Sequence, residues 1–311
     1  MNSKKIIAQI KREYWENKIG FVYVPLIITA LFMLAFIFTV SYGLSDAGVP
    51  PLSEVGAQCF GVSCEENLEK FSSYVANTPE GFDNIILAIM YTNCILVSAA
   101  LALVLIAFLH RCLFDDRKER DILFWRSLPV SETTNVLVKL GVVVIGAPLI
   151  ILITNIISSL LLIILGVAVS ATQGIAVGYL TSSLWNGGHL SVPFIVFYEN
   201  IYWMLLLLPV LGFFLMASAF AKRSPFITAS LVPMLLLLAD YLLNKYMGFS
   251  LGITHFMSGY FAILLEAKNA IVVGKLLQVN DAMLQDLLKL IVIGGAFVAA
   301  AIWLRNNRYE I

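Results

Sequence analysis

Six apolar runs constrain this chain more than any other feature of its sequence. A helix needs roughly 20 residues to cross about 30 Å of hydrocarbon, and apolar runs near or above that length occupy residues 20–43, 84–110, 136–167, 201–221, 225–246 and 287–304. Of the 311 residues, 60% are hydrophobic and 13% are charged, whereas soluble domains have about 25% charged residues. The sequence therefore predicts an all-α, polytopic membrane protein that forms a single transmembrane domain over residues 1–311.

The basic residues are unevenly divided between the two sides of the membrane that six spans define. Assigning the loops to alternate sides puts fifteen Lys and Arg with the N-terminus and five on the opposite side, while the acidic residues divide eight and twelve. Loops rich in Lys and Arg stay in the cytoplasm, so both termini are predicted to be cytoplasmic. The formal net charge is zero, and no nucleic-acid partner is expected.

Residues 1–19 precede the first apolar run and form an amphipathic segment. At 100° per residue, one helical face holds Ile6, Ile7, Ile10 and Tyr14, and the other holds Lys5, Arg12 and Glu16. A helix with this pattern lies in the membrane interface. We therefore predict an interfacial helix here, in contact with membrane lipids.

The predicted external loops differ in character. Residues 44–83 are acidic, residues 168–200 are rich in Gly, Ser and Thr, and residues 248–285 are apolar enough to predict one or two short re-entrant or surface helices. In the first loop Cys59 and Cys64 are five positions apart. An oxidising compartment would permit a disulfide between them, and two free thiols are the alternative.

The most charged stretch of the chain connects spans two and three. The chain has twenty basic and twenty acidic residues, and eleven of these forty lie in the twenty-nine positions from Arg111 to Lys139. Within residues 111–135, Asp116 is predicted to cap a short helix, Pro129 to end it and Ser131 to cap the helix of span three. This stretch is either a structured helix with a role of its own or a plain solvated turn that supplies charge to orient the chain.

Polar groups with a possible chemical role are few. None of the three histidines has a metal-ligand neighbour at helical spacing, so no metal site is expected. The Gly274-Lys275 pair lacks the first glycine and the Ser or Thr of a phosphate-binding loop. Polar residues within the apolar runs are candidates to line a polar path, with helix packing or capping as the alternative role: Tyr91, Asn93, Asn155 and Asp240.

The charged connection resembles that of a known transporter family. Its sequence DDRKERDILFWRSLPVS is similar to the D-R-K-x-R-x-I-L-F-W-K-S-L-P-V-S pattern that links spans two and three in a group of bacterial type-2 ATP-binding-cassette (ABC) transporter permeases. Arg126 stands where a lysine is frequent in that group. The closing AAAIWLRNNRYE and the layout of six spans also resemble the group, so the likeness covers essentially the whole chain.

The resemblance implies the membrane subunit of an exporter in the bacterial inner membrane, without enzymatic activity or a cofactor of its own. Its partners would be two copies of a separate ATP-binding subunit, which carries ATP and Mg, and a second permease copy, with a homodimer favoured over a heterodimer. Residues 111–135 would hold the coupling helix that docks on the ATPase. The resemblance assigns this contact to Asp116, Arg117, Glu119, Arg120 and Arg126 as polar groups, Phe124 and Trp125 as buried anchors, and Leu128 and Pro129 as the helix stop.

Other functions stay open at the level of sequence. They are a secondary transporter driven by an ion gradient, an enzyme of membrane lipids or peptides acting through His189 and Ser183, and a non-transporting anchor or sensor for an ATPase. The apolar character of the spans favours an amphipathic, lipid-like, peptide or drug cargo for a transporter.

Overall fold

The computed structural model describes residues 3–46, 79–118, 131–172, 189–221, 224–272 and 281–307, and these ranges contain no strand. The prediction of an all-α protein is confirmed for them. The α-helices are α1 (Ser3–Glu16), α2 (Val24–Asp46), α3 (Pro79–Lys118), α4 (Glu132–Gly141), α5 (Ala147–Thr172), α6 (Val192–Leu206), α7 (Leu208–Phe220), α8 (Pro225–Met247), α9 (Ile253–Val272) and α10 (Asp281–Asn307).

Helices long and apolar enough to cross a membrane match five of the six predicted spans. Within the described residues they are Ile19–Phe38, Leu87–Lys118, Glu132–Leu165, Pro225–Met247 and Met283–Asn307. The remaining predicted span corresponds to α6 and α7, which pass the same test only as a pair and meet at a bend of 58°.

The bend between α6 and α7 follows from a proline. Pro209 has no N–H to donate within the helix, and its ring crowds the preceding turn. Next to the break, the hydroxyl of Tyr260 on α9 donates to the carbonyl oxygen of Leu206 at 3.1 Å. The prediction of a loop over residues 168–200 is wrong at both ends, because α5 continues to Thr172 and α6 already begins at Val192. Phe197 and Tyr198, which fall within that predicted loop, are part of the apolar helix α6.

Two stretches of π-helix also lie just before prolines. One covers Ile19–Tyr23 ahead of Pro25, and the other covers Val142–Gly146 ahead of Pro148. A proline clashes with the carbonyl group four residues earlier, and a wider helical turn relieves that crowding. The first and third spans therefore continue through their prolines as helices.

The charged connection begins later than the sequence predicted. Helix α3 continues through Lys118, so Asp116 lies inside it, and the prediction that Asp116 caps a new helix is wrong. No Gly or Pro interrupts this part of α3, and an ion pair four residues apart supports it, with Arg111 Nε 2.9 Å from Asp115 Oδ2. The prediction for Ser131 is confirmed, since its hydroxyl accepts from Thr134 N and caps α4. Residues 119–130 are outside the described part of the chain.

The other predicted segments are confirmed in part. Residues 1–19 contain helix α1, and residues 248–285 contain one 20-residue helix, α9. The chain reaches α9 through Gly248 and Gly252, whose φ angles of 65° and 75° favour glycine. A re-entrant position of α9 stays a prediction. The pairing of Cys59 with Cys64 falls outside the described residues.

Contacts divide the chain into two compact units. Unit one comprises residues 1–16, 103–146 and 199–311, and unit two comprises residues 17–102 and 147–198. In unit one α1 packs on α4, and α10 packs on both α4 and α7. In unit two α5 packs against α2 and the π-helix that precedes it.

Candidate functional site

Unit one contains a cluster of buried charges where α3 ends and α4 begins, on either side of the charged connection. We call this cluster the Asp116 network. It draws side chains from four helices, α1, α3, α4 and α10. Its members are Arg12, Glu13, Asp116, Glu132, Asn135, Lys139 and Arg305.

The carboxylate of Asp116 is the hub of the network. Its Oδ1 atom lies 3.5 Å from Lys139 Nζ and 3.6 Å from Arg12 Nη2. Its Oδ2 atom lies 3.3 Å from Arg305 Nη1 and accepts from Asn135 Nδ2 at 3.4 Å. Three cations from three other helices thus share one buried carboxylate. With Glu13 and Glu132 included, the three positive charges meet three negative ones, and at its exposed edge Arg12 also pairs with Glu16.

Lys139 joins the network to the N-terminal helix. The Lys139 side chain is 2% exposed, and its Nζ donates to Glu13 Oε1 at 2.7 Å. Burial raises the pKa of the Glu13 carboxyl group above its ordinary value, and the charge of Lys139 acts in the opposite direction. Glu13 and Lys139 therefore depend on each other, because either charge alone would be buried without its short-range partner.

Arg305 joins the last helix to both sides of the charged connection. Its Nε atom donates to Glu132 Oε2 at 2.8 Å in the first turn of α4. Its Nη1 atom donates to the carbonyl oxygen of Leu113 on α3 at 3.5 Å. With its contact to Asp116, one guanidinium group spans α3, α4 and α10. A planar, multidentate donor suits this role better than a lysine would.

A second set of polar contacts fastens α3 to the end of α7. Arg117 Nη2 donates to the carbonyl oxygens of Ser218 and Ala221, each at 2.8 Å. The Ser218 hydroxyl oxygen accepts from the backbone N–H groups of Leu113 and Phe114 at 3.2 and 3.1 Å. A cation at a helix C-terminus is favourable because the last carbonyl groups carry partial negative charge. This end of α3 is thus held by α7 as well as by the Asp116 network.

The structure gives internal partners to the two predicted contact residues that it describes. Asp116 is the hub of the ion network, and Arg117 binds the C-terminal turn of α7. Their contact with an ATPase stays a prediction, as does that of the other assigned residues. Those others lie outside the described part of the chain: Glu119, Arg120, Phe124, Trp125, Arg126, Leu128 and Pro129.

Two of the candidate pathway residues meet inside unit two. Asn93 on α3 and Asn155 on α5 are both fully buried. Asn93 Nδ2 donates to Ser158 Oγ at 2.8 Å, and that hydroxyl group donates to the carbonyl oxygen of Asn155 at 2.9 Å. Both polar atoms of the Asn155 side chain lack a hydrogen-bond partner among the described residues. Tyr91, one turn away from Cys94 on the same helix, is half-buried.

Asp240 has a local role that its sequence position did not reveal. Its carboxylate accepts from the Thr254 N–H and hydroxyl groups at 2.7 and 2.8 Å, and from the Leu251 N–H group at 2.6 Å. The Ser250 hydroxyl group donates to it at 3.2 Å. These groups are at the start of α9, where a carboxylate satisfies unpaired N–H groups and favours the helix dipole. Asp240 therefore caps α9, which was the structural alternative for this residue.

Other reactive side chains have unremarkable surroundings. Cys94 and Cys112 are free and buried, as expected of small apolar groups in a span. His110 Nδ1 lies 2.6 Å from the carbonyl oxygen of Ile106, and its ring packs on Phe214. Among the described residues no group of His, Cys, Asp and Glu has an arrangement that would hold a metal ion. Ser183 is outside those residues.

Sequence reasoning missed Glu13, Lys139 and Arg305 as members of one site. Lys139 carried the clearest signal, because it lies inside the predicted third span, and an ionisable group in a span needs a partner. Its partner Glu13 is 126 positions away in sequence. A helical pattern reports spacing along one helix, so it could not indicate that pairing.

No family model, curated protein or solved structure matches this chain.

Proposed function

We propose that this chain is the membrane subunit of a bacterial ATP-driven ABC exporter, with six spans and both termini in the cytoplasm. It forms the translocation pathway in the inner membrane and couples to a separate ATP-binding subunit through the charged connection between spans two and three. The cargo is amphipathic, in the class of lipid-like molecules, peptides or drugs.

The observation that carries the proposal is the Asp116 network. It fastens together the end of α3 and the start of α4, which are the two helices that flank residues 119–130. It also includes α1 and the end of α10. A push on the connection would therefore be passed to several helices at once. A plain solvated turn has no need for a buried ion network at its base, because such a network costs desolvation.

The proposal divides the connection into a base and a tip. Asp116 and Arg117 hold the base inside the chain, as their contacts indicate. Phe124 and Trp125 at the tip then supply the contact with the ATPase, since buried aromatic groups dominate interface energies. The charges of Glu119, Arg120 and Arg126 set the register of that contact.

Two copies of the chain would enclose the pathway, with spans two and five as its walls. Helix α8 is the least buried of the five unbroken spans, so its apolar side chains face lipid or a second copy. Asn93 and Asn155 are enclosed within the chain in this conformation. They would reach the pathway only when α3 and α5 move apart, which ATP binding and hydrolysis would drive.

The test is co-purification of the tagged chain from mild detergent, followed by mass spectrometry. We expect a soluble ATPase with a phosphate-binding loop to co-purify with the wild type and to be lost with Phe124→Ala/Trp125→Ala. A matched control is Tyr246→Ala/Phe249→Ala, which removes two exposed aromatic groups, one in the last turn of α8 and one just after it. The control should retain the ATPase.

Two results would contradict the proposal. One is that no ATPase co-purifies with the wild type under several gentle conditions. The other is that purified chain, reconstituted alone, transports cargo without a second protein. Cargo flux also separates an exporter from a non-transporting anchor, which would bind the ATPase but move nothing.

A secondary transporter is the runner-up. Such a protein needs ionisable groups at mid-membrane that bind and release a coupling ion. Asp240, the candidate for that role, accepts four hydrogen bonds at the start of α9, which disfavours it as an exchange site. Flux that follows a proton or sodium gradient and ignores ATP would favour the runner-up.

A further inference from the structure

Helix α1 has an outward face that the Asp116 network does not use. Gln9 and Glu13 are buried on the side of α1 that packs on α4. On the opposite side Ile7 is 63% exposed and Trp15 is 56% exposed, with Tyr14 also exposed. The buried face is thus the polar one, and the apolar and aromatic residues point away from the protein. The short contact between Glu13 and Lys139 fixes the helix in this orientation.

The outward face of α1 is also basic. Lys11 is exposed between Ile7 and Tyr14, and Lys4 occupies the equivalent position seven residues earlier in the same helix. The acidic residues of α1 are turned away and paired, Glu13 with Lys139 and Glu16 with Arg12 at 2.5 Å. Among the described side chains of α1, the outward face therefore carries the charge of Lys11 and no carboxylate.

We propose that this outward face binds the headgroups of anionic phospholipids. We call it the basic-aromatic face, and it comprises Lys4, Ile7, Ile10, Lys11, Tyr14 and Trp15. Tyr and Trp rings settle at the level of the headgroups, and lysine stems lie along apolar surface while the ammonium group reaches the phosphate. The proposal concerns lipid selectivity and does not depend on which energy source drives the chain.

Two features favour a bilayer over a protein partner at this face. Apolar and basic side chains alternate within each turn, so insertion and headgroup contact occur together. The first apolar span begins at Ile19, three residues after α1 ends at Glu16. The chain thus enters the membrane directly after the helix, which keeps α1 close to the headgroups. Each lysine near an anionic surface strengthens attachment about fivefold.

The first experiment measures which lipids the full chain retains. Purified chain is incubated in mixed micelles with equal amounts of phosphatidylglycerol and phosphatidylethanolamine, washed, and its bound lipid is quantified by mass spectrometry. We expect several-fold enrichment of phosphatidylglycerol on the wild type. Lys4→Gln/Lys11→Gln should lose most of it, and Lys4→Arg/Lys11→Arg should keep it.

A matched control removes the same charge elsewhere. Lys268→Gln/Lys289→Gln neutralises two exposed lysines on α9 and α10 and should keep the enrichment. The proposal is overturned if the wild type shows no preference for phosphatidylglycerol. It is also overturned if the Lys4→Gln/Lys11→Gln variant keeps the preference, or if the control loses it equally. Size-exclusion profiles confirm that each variant is folded.

A second readout reports on α1 alone. Brominated lipids quench nearby tryptophan, and the quenching that disappears in Trp15→Phe belongs to Trp15. In bilayers of mixed composition, we expect brominated phosphatidylglycerol to quench Trp15 more than brominated phosphatidylethanolamine does. The difference should vanish in Lys4→Gln/Lys11→Gln. Equal quenching by both lipids in the wild type would mean that the face has no headgroup preference.

Discussion

At the scale of single residues, the ammonium group of Lys139 is buried and contacts two carboxylates in place of water. It lies 2.7 Å from Glu13 Oε1 and 3.5 Å from Asp116 Oδ1, and 2% of the side chain is exposed. A buried ion pair adds little net stability over an apolar pair of the same shape, but removing one partner leaves a buried charge uncompensated. The network should therefore be far more sensitive to single substitutions than to paired ones.

We predict that Lys139→Met lowers the stability of the chain by about 3–5 kcal/mol. The cause is the loss of a cation that faces both Glu13 and Asp116, rather than the loss of packing, since Met fills a similar volume. The thermal midpoint in detergent, followed by fluorescence-detected size exclusion, measures the effect. The double variant Glu13→Gln/Lys139→Met should recover a large part of the loss.

The matched control for this prediction is Lys289→Met. Lys289 also forms an ion pair, with Asp286 at 2.8 Å, but its side chain is 65% exposed. An exposed pair contributes between about 0 and 1 kcal/mol, so the midpoint should scarcely move. If Lys139→Met were no more harmful than this control, the Asp116 network would not be the structural base that we describe.

Asn155 presents the opposite case, a buried polar side chain without a hydrogen-bond partner among the described residues. An unsatisfied buried group costs about 1–3 kcal/mol, and leucine has a similar size without that cost. We predict that Asn155→Leu keeps or raises the thermal midpoint. Asn93→Leu should lower it, because the hydrogen bond from Asn93 to Ser158 is lost. Equal losses in both variants would mean that Asn155 has a partner after all.

At the scale of helices, α7 and α10 approach each other through glycine. A Cβ atom on Gly294 would lie 2.7 Å from the carbonyl carbon of Leu208, and one on Gly212 would lie 2.7 Å from the carbonyl oxygen of Gly294. These are contacts with backbone, which cannot rotate away. Small residues at a crossing allow membrane helices to pack closely. This crossing helps to hold α10, and with it Arg305, against the rest of unit one.

We predict that Gly294→Ala lowers the thermal midpoint by several degrees, because α7 and α10 must separate to admit the methyl group. Gly295→Ala provides a direct control one position along the same helix, since nothing lies within 4 Å of a Cβ atom there. In that variant the gain in helix propensity, about 1 kcal/mol, should keep or raise the midpoint. Equal behaviour of the two variants would contradict the close crossing.

The helices show what the sequence could predict and what it could not. Apolar length and cap chemistry are local, so five spans and the Ser131 cap were found in the sequence. The end of the loop predicted over residues 168–200 was wrong, because the sequence alone does not distinguish aromatic residues at a membrane interface from aromatic residues within a helix. The Asp116 network unites residues 12, 116, 139 and 305. Such long-range contacts depend on how the helices pack, which periodicity along one helix does not report.

At the scale of the whole molecule, the course of the chain depends on whether α6 and α7 cross the membrane as one bent span. With a rise of 1.5 Å per residue, α6 (15 residues) and α7 (13 residues) are about 22 and 20 Å long. A bend of 58° leaves their ends about 37 Å apart, which exceeds the ~30 Å of the hydrocarbon layer. A re-entrant hairpin would need a much sharper reversal. The geometry therefore favours a crossing.

The distribution of Lys and Arg does not distinguish a crossing from a re-entrant pair. In the alternative arrangement, α6 and α7 return to the external side. The side of the N-terminus would then gain four Lys. It would lose Lys222 and Arg223 at the turn before α8, and two Arg at the C-terminus. The division would again be fifteen to five. Only the acidic residues move, from eight and twelve to eleven and nine, and they contribute little to orientation. The contacts of Arg305 with Asp116, and of Arg117 with the carbonyl oxygens of Ser218 and Ala221, keep the ends of α3, α7 and α10 together. They agree with a crossing and not with a re-entrant pair.

We predict that single cysteines in the full chain, with the four native cysteines replaced, divide into two groups with a membrane-impermeant maleimide on intact cells. Ser73→Cys, Ser183→Cys and Gln278→Cys should react from outside. Ser127→Cys, Lys222→Cys and Ile311→Cys should react only after the membrane is opened, and all six should react in detergent as the control. A re-entrant α6–α7 pair would leave the Ser73, Ser183 and Ser127 sites on the same sides but exchange the sides of Lys222, Gln278 and Ile311. Because the Ser127 site keeps its side in either case, its protection tests the cytoplasmic position of the connection that the coupling proposal requires.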